Sequence, residues 1–277
     1  MSSFLDRMAR ASRGRVKEAR GRESEGALVQ RVRAMPPPPP LALRDFDIIA
    51  ELKLRSPAAG VLAEETFDRD SQISAYASGG ATAVSVLTEP DEFKGSLQDL
   101  GAAAAALTEH GIPAMRKDFL TDPYQVLEAR AAGAGGVLVI VTMLSDPDVT
   151  AMLESAAECG LFVLLEAFDE RDLERMSSLV VMGRLPVPVL CGVNCRDLTS
   201  LEVDFDRFRT LAAHLPPDLP AVAESGINGT ADIIAVAQLG YRAALIGSAL
   251  MRSADAAREL ASLKSAGADT LRKAPCS

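Results

Sequence analysis

Histidine is nearly absent from this 277-residue chain, which has only His110 and His214. Each stands late in a helical pattern, beside a Gly or a Leu-Pro stop, where a helix C-terminus favours a cation. Cysteine is scarce too. Cys159, Cys191, Cys195 and Cys276 fit no zinc spacing and no disulfide framework, so reduced thiols are expected. A basic surplus is missing, since 29 Lys and Arg face 38 Asp and Glu for a net charge of −9. That balance argues against a general nucleic-acid binder. No apolar run approaches the roughly 20 residues of a membrane span. The N-terminal stretch MSSFLDRMARASRGRVKEARGRESEG has no apolar core of a secretory signal, so a cytoplasmic protein with no membrane partner is expected. Whatever chemistry occurs must fall mainly to Lys, Glu, Asp and Arg.

What is present has a clear order. Residues 2–33 read as one long helix, basic on balance, packing against the body of the protein. Pro36 to Pro40 is a run of five prolines, read as a short extended connector. Beyond it, short apolar strand candidates recur at 47–54, 82–87, 112–116, 136–141, 161–166, 189–193, 220–224 and 243–247. Helical patterns lie between them, several opening on Asp or Ser and closing on Gly. Strands alternating with helices imply parallel pairing and right-handed crossovers. Eight such units predict an α/β fold, a (β/α)8 TIM barrel with an N-terminal helical extension; an open doubly wound sheet is the alternative. The expected division is an extension over 1–45, a barrel over 46–265 and a flexible tail over 266–277.

The strand ends carry charge. In "FDIIAELKLRSP", Ile48, Ala50, Leu52 and Leu54 share one face and Ile49, Glu51, Lys53 and Arg55 the other. In a barrel the first set faces the helices, and Glu51 and Lys53 enter the mouth, where a buried charge is paired, functional or both. "IPAMRKDF" ends on Arg116, Lys117 and Asp118, and "LFVLLEAFDE" delivers Glu166. "VLCGVNCRDL" places Asn194 and Arg196 on one face, and "AVAESGI" delivers Glu224. The result is a candidate site of two lysines and three glutamates at the strands' C-terminal ends. Lysines so crowded are expected to have lowered pKa values, with the glutamates pushing back. Ser225-Gly226 and Gly247-Ser248 follow the last two strands, where such barrels often hold a phosphate, with Arg55 and Ser56 completing the cradle.

Seven motifs in colinear order, "IIAELKLRSP", "LTEPDEFKGSLQDL", "RKDFLTDPYQV", "LLEAFDE", "GVNCRDLTSLEVD", "AESGI" and "LIGSALMR", resemble the indole-3-glycerol phosphate synthase family. The resemblance runs from about Phe46 to Arg252. It implies a carboxy-lyase of tryptophan biosynthesis that takes a phosphorylated small molecule, needs no metal or organic cofactor, and works as a monomer or weak dimer. By the same resemblance Lys117 is the general acid and Lys53 pairs with the anthranilate carboxylate. Glu51 and Glu166 are the acidic pair, their roles not partitioned. Asn194 and Glu224 bind sugar hydroxyls or orient the catalytic groups, and Arg196 lies near the carboxylate. Arg55, Ser56, Ser225, Gly226, Gly247 and Ser248 bind phosphate, and Phe93 and Phe119 form the slot for the aromatic ring.

The chain departs from the family pattern at Ser56-Pro-Ala-Ala-Gly60, where a basic residue is common, at Cys195 and at Phe168. Strand parity turns Cys195 away from Asn194, toward packing. These departures leave open a paralogue acting on a ring-substituted analogue. A phosphoribosylanthranilate isomerase would need Cys at the end of the first strand, where Glu51 and Lys53 stand. A non-catalytic phosphate-binding barrel would predict eroded catalytic positions, and these are intact.

Overall fold

A computed structural model describes residues 4–53, 55–56, 60–61, 68–182, 187–197 and 202–273, with side chains for all of these except 55–56, 60–61 and 181–182. Eight parallel strands close into a barrel: β1 (Asp47–Leu52), β4 (Ala83–Leu87), β5 (Ala114–Lys117), β6 (Gly136–Ile140), β7 (Phe162–Ala167), β8 (Val189–Asn194), β9 (Ala221–Glu224) and β10 (Ala243–Ile246). Around the barrel each strand pairs with its sequence neighbour, and β10 pairs with β1 to complete the closure. A small antiparallel ribbon, β2 (Arg55–Ser56) with β3 (Gly60–Val61), follows β1.

The two-residue period of β1 sorts its side chains as the alternation demands. Ile48, Ala50 and Leu52 join the layer between strands and helices, whereas Ile49 joins the barrel interior with Met115, Leu138, Leu164, Leu190 and Leu245. Leu54 falls outside the described residues.

The helices are α1 (Phe4–Arg22), α2 (Glu25–Arg33), α3 (Arg69–Ser78), α4 (Leu97–Thr108), α5 (Pro123–Ala131), α6 (Asp146–Glu158), α7 (Glu170–Met182), α8 (Asp206–Ala212), α9 (Thr230–Gln238), α10 (Ser248–Arg252) and α11 (Ala256–Lys273). Side-chain oxygens of Asp68, Ser96, Asp122 and Ser145 cap α3, α4, α5 and α6, each accepting from a backbone N–H of the first turn. Such caps typically stabilise a helix by about 1 kcal/mol.

Two expectations are corrected. The N-terminal helix is broken at Glu23-Ser24 into α1 and α2, because the Ser24 hydroxyl accepts from Ala27 N and starts a new helix. The Tyr124 hydroxyl pins the break by donating to the Glu23 carbonyl at 2.9 Å. The C-terminal helix runs to Lys273, so residues 266–273 are not a tail. Gly267 explains this: a Cβ there would stand 2.3 Å from Cγ of the fully buried Phe46, so glycine lets α11 close on the start of the barrel.

Candidate active site

The C-terminal mouth holds a cavity of about 570 Å³, lined by residues from all eight barrel strands or their following loops. Glu51, Lys53, Lys117, Glu166, Asn194, Arg196 and Glu224 all reach it. So do Phe93, Phe119, Ser225, Gly226, Gly247 and Ser248. The side chains of Arg55 and Ser56 lie outside the described part of the structure.

Lys53 Nζ stands 2.6 Å from Glu51 Oε1, a tight ion pair with both groups largely buried. Gly247 makes room for it, since a Cβ there would fall 2.3 Å from Glu51 Oε1 and 3.1 Å from Lys53 Nζ. Burial pushes the Glu51 carboxyl up, but Lys53, Lys117 and Arg196 together outweigh it and hold it below its ordinary value. Across the cavity, Lys117 Nζ lies 3.8 Å from Glu166 Oε2, too long for a hydrogen bond. Burial alone would lower the Lys117 pKa; Glu166, Glu51 and Glu224 reverse that, and the net shift is upward. The lowered value expected from lysine crowding is therefore corrected for Lys117, because three carboxylates face this ammonium. The shift favours its charged form.

Glu166 is held from one side. Asn194 Nδ2 donates to its Oε1 at 3.3 Å, while Oε2 meets no hydrogen-bond donor among the described residues. Asn194 is oriented in turn by the Ser225 hydroxyl (2.9 Å) and the Arg196 backbone N–H (3.0 Å), both donating to its Oδ1. Ser225 adopts a left-handed backbone, φ +68°, which costs a non-glycine residue roughly 1–3 kcal/mol. The strained turn aims its hydroxyl at Asn194.

Glu224 is buried and neither of its carboxylate oxygens meets a donor among the described residues. Burial first, and then the negative charges of Glu166 and Glu51, push its pKa well above the ordinary carboxylate range despite the pull of Lys117. A proton retained on Glu224 removes one of two facing negative charges.

Arg116 and Lys117 are adjacent and point opposite ways. Arg116 turns to the helix layer, where its guanidinium donates to the Gln125 carbonyl, Glu128, Thr88 and Asp118. Asp118 also accepts from Arg15 of α1 at 2.8 Å and from Phe119 N at 2.8 Å, so the segment just past Lys117 is tied down on several sides.

Sequence reasoning missed two residues at this site. Phe4 of α1 lines the cavity and meets Phe119 edge-on, with ring centroids 5.7 Å apart; Phe93 lies 6.2 Å from Phe119 on another side. The spacing of Phe4, Met8, Ser12 and Val16 along one face of α1, the last three buried, was the available signal. Arg252, at the end of α10, also lines the cavity and closes the "LIGSALMR" motif.

Cys195 is buried and its thiol donates to the Ser225 carbonyl at 3.4 Å, consistent with packing rather than reactivity; burial pushes its pKa to about 12. Neither histidine lines the cavity. Among the described residues no cluster of His, Cys, Asp and Glu is arranged to hold a metal ion, and no helix is long and apolar enough to cross a membrane.

Comparison with known proteins gives one consistent family. The family model described as indole-3-glycerol phosphate synthase matches residues 5–263. The indole-3-glycerol phosphate synthase of Mycobacterium ulcerans is 43% identical over 236 residues, covering 83% of each chain. That of Mycobacterium tuberculosis is 42% identical over 236 residues, again 83% of each. Among solved structures, 3-hexulose-6-phosphate synthase from Salmonella typhimurium superposes with a TM-score of 0.61 at 14% identity, over 81% of this chain and 100% of that one. Thiamine phosphate pyrophosphorylase from Pyrococcus furiosus gives 0.57 at 15% identity, over 82% and 98%. At those identities the two structures speak to the fold alone.

Proposed function

The chain belongs to the indole-3-glycerol phosphate synthase family, and from that premise we propose how its buried charges divide the work. The reaction converts 1-(2-carboxyphenylamino)-1-deoxyribulose 5-phosphate to indole-3-glycerol phosphate. A ring carbon bonds to the ketose carbonyl carbon, carbon dioxide leaves that ring carbon, and the new hydroxyl departs as water.

Lys117 donates the proton to the carbonyl oxygen as the new bond forms. Its upward pKa shift keeps it charged, and charge placed where negative charge develops is what lowers the barrier. Lys53, held by Glu51 at 2.6 Å, presents its remaining N–H donors to the substrate carboxylate and, once carbon dioxide has left, gives the second proton with which the hydroxyl departs as water. Glu166 takes up the proton lost as the ring becomes aromatic. Its Oε1 is occupied by Asn194 and its Oε2 is open, the arrangement of an oriented base. Glu224, carrying a proton, keeps a second negative charge away from Glu166. Asn194 and Arg196 orient the sugar and carboxylate. Phe93, Phe119 and Phe4 enclose the aromatic ring, and Ser225-Gly226, Gly247-Ser248 and Arg252, which also line the cavity, bind the phosphate. Arg55 and Ser56 join the phosphate site by sequence position.

The observation that carries these assignments is the Lys117–Glu166 pair, with an acid and an open base oxygen 3.8 Å apart at one cavity wall. The test is a steady-state assay with the unsubstituted substrate, following indole product fluorescence. Turnover that collapses in a folded Lys117→Ala supports the roles. Near-wild-type turnover of that variant would remove Lys117 from the chemistry. We further propose that the enzyme is cytoplasmic and acts as a monomer, with the catalytic barrel domain running from residue 46 through the end of α11.

A further inference from the structure

Gly192 lies on β8 two residues before Asn194, on the strand face that points into the barrel. Its backbone is ordinary strand, so conformation does not demand glycine here. Space does. A Cβ at this position would stand 2.1 Å from Glu224 Oε1, 3.1 Å from Leu164 Cδ1 and 3.2 Å from the Leu165 carbonyl oxygen. The carboxyl of Glu224 therefore occupies the volume that any side chain at 192 would fill.

That carboxyl is buried and meets no donor among the described residues, an arrangement that costs stability. The groups facing it are Glu166 from β7, Lys117 from β5 and Glu51 from β1, with the Cys191 thiol on β8 nearby. We infer that Gly192 is a positioning residue for the reaction: its missing side chain is the notch that seats the Glu224 carboxyl against Glu166. This rests on the reading of Glu224 as a site residue. Driven out of the notch, the carboxyl moves toward the open cavity and the two lysines, where it ionises more readily. It would then compete with Glu166 and with the substrate carboxylate for the same cations. The raised pKa of the seated group agrees with this placement but is not needed for it.

The test combines Gly192→Ala, Glu224→Ala and the double variant, each assayed across pH and melted thermally. In Gly192→Ala, kcat is expected to fall about tenfold or more with KM within about threefold, the split that marks a lost transition-state interaction. The alkaline limb of kcat should move to lower pH, because the displaced carboxyl gives up its proton sooner. In the Glu224→Ala background the same substitution should change kcat by less than about twofold, since a residue that acts through another is not additive with it. The melting temperature forms a parallel cycle. Gly192→Ala should lower it when Glu224 is present and leave it nearly unchanged when the carboxyl has been removed. If Gly192→Ala alone fails to fold, recovery of the fold in the double variant supports the notch. Wild-type kcat and pH profile in Gly192→Ala would overturn the inference. Equal thermal losses in both backgrounds would also overturn it, assigning Gly192 to packing against Leu164 and Leu165. Undiminished kcat in Glu224→Ala would instead be a failure of the site reading, which the thermal cycle separates from a failure of the notch.

Discussion

The two ends of the barrel bury acids and treat them in opposite ways. At the N-terminal end, Asp47 opens β1 and its carboxylate is fully engaged. Arg44 N donates to Oδ2 at 2.6 Å, Thr82 Oγ1 donates to Oδ1 at 2.5 Å, and Lys264 Nζ lies 3.5 Å away. At the C-terminal end, among the described residues, Glu166 keeps one oxygen without a donor and Glu224 keeps two. The first arrangement spends its hydrogen bonds on holding β1, β4 and α11 together. The second leaves bonds unmade at the cavity, which costs stability. Buried acidity as such is uninformative; the state of its partners tells structure from function.

The largest effect that would sharpen this contrast is at Lys117. Lys117→Met should lower kcat by about 10²- to 10⁴-fold, the range for a positioned proton donor, with an unchanged circular dichroism spectrum. Glu224→Gln comes next, with a kcat loss of about 10- to 100-fold and no loss of stability at neutral pH. The sign follows from linkage. The folded state holds the Glu224 proton above the ordinary value of 4.5, where the unfolded chain has released it, so the wild type loses stability as pH rises from that value toward the folded pKa. Glutamine cannot ionise, so chemical denaturation of the variant against pH should lack that slope. A slope identical to wild type would show that Glu224 is charged when folded.

At the other end, Asp47→Ala should cost about 2–4 kcal/mol in urea unfolding, because Lys264 and Thr82 lose a buried partner, while kcat of the folded protein stays at the wild-type value. A kcat loss matching that of Glu224→Gln would break the contrast between the ends. The smallest effect is expected at the rim. Phe4→Ala removes one wall of the ring slot, for an edge-on contact worth roughly 1 kcal/mol, and should raise KM several-fold with little change in kcat.

Much of this was legible in the sequence because alternation is a local property. The sorting of Ile48, Ala50 and Leu52 from Ile49 and Glu51 needs only the two-residue period of β1, and the charges at successive strand ends then converge by closure. What was not legible depends on partners distant in the chain. The break at Ser24 is invisible in a continuously helical composition until Tyr124 is seen holding it. The helix through residue 273 needs the fit of Gly267 on Phe46. The upward shift of Lys117 needs a count of acids, and Glu51, Glu166 and Glu224 come from three other strands. Gly192 reads as an ordinary small residue in "VLCGVN" until Glu224, 32 positions later, is found in its space.

The opposed pair Arg116 and Lys117 has a consequence for how the barrel finds its pairing. A slip of β5 by one residue would exchange them, swinging the guanidinium into the catalytic cavity and the ammonium among the helices. Apolar β5 residues such as Ala114 and Met115 would tolerate that exchange poorly but not forbid it. The fork of Arg116 does more, because its donors match a carbonyl, two carboxylates and a hydroxyl placed for a planar, five-donor group that lysine cannot imitate. Arg116 thus acts as a key that fits one lock: its bonds are made only in the native register of β5, the register that turns Lys117 to the cavity.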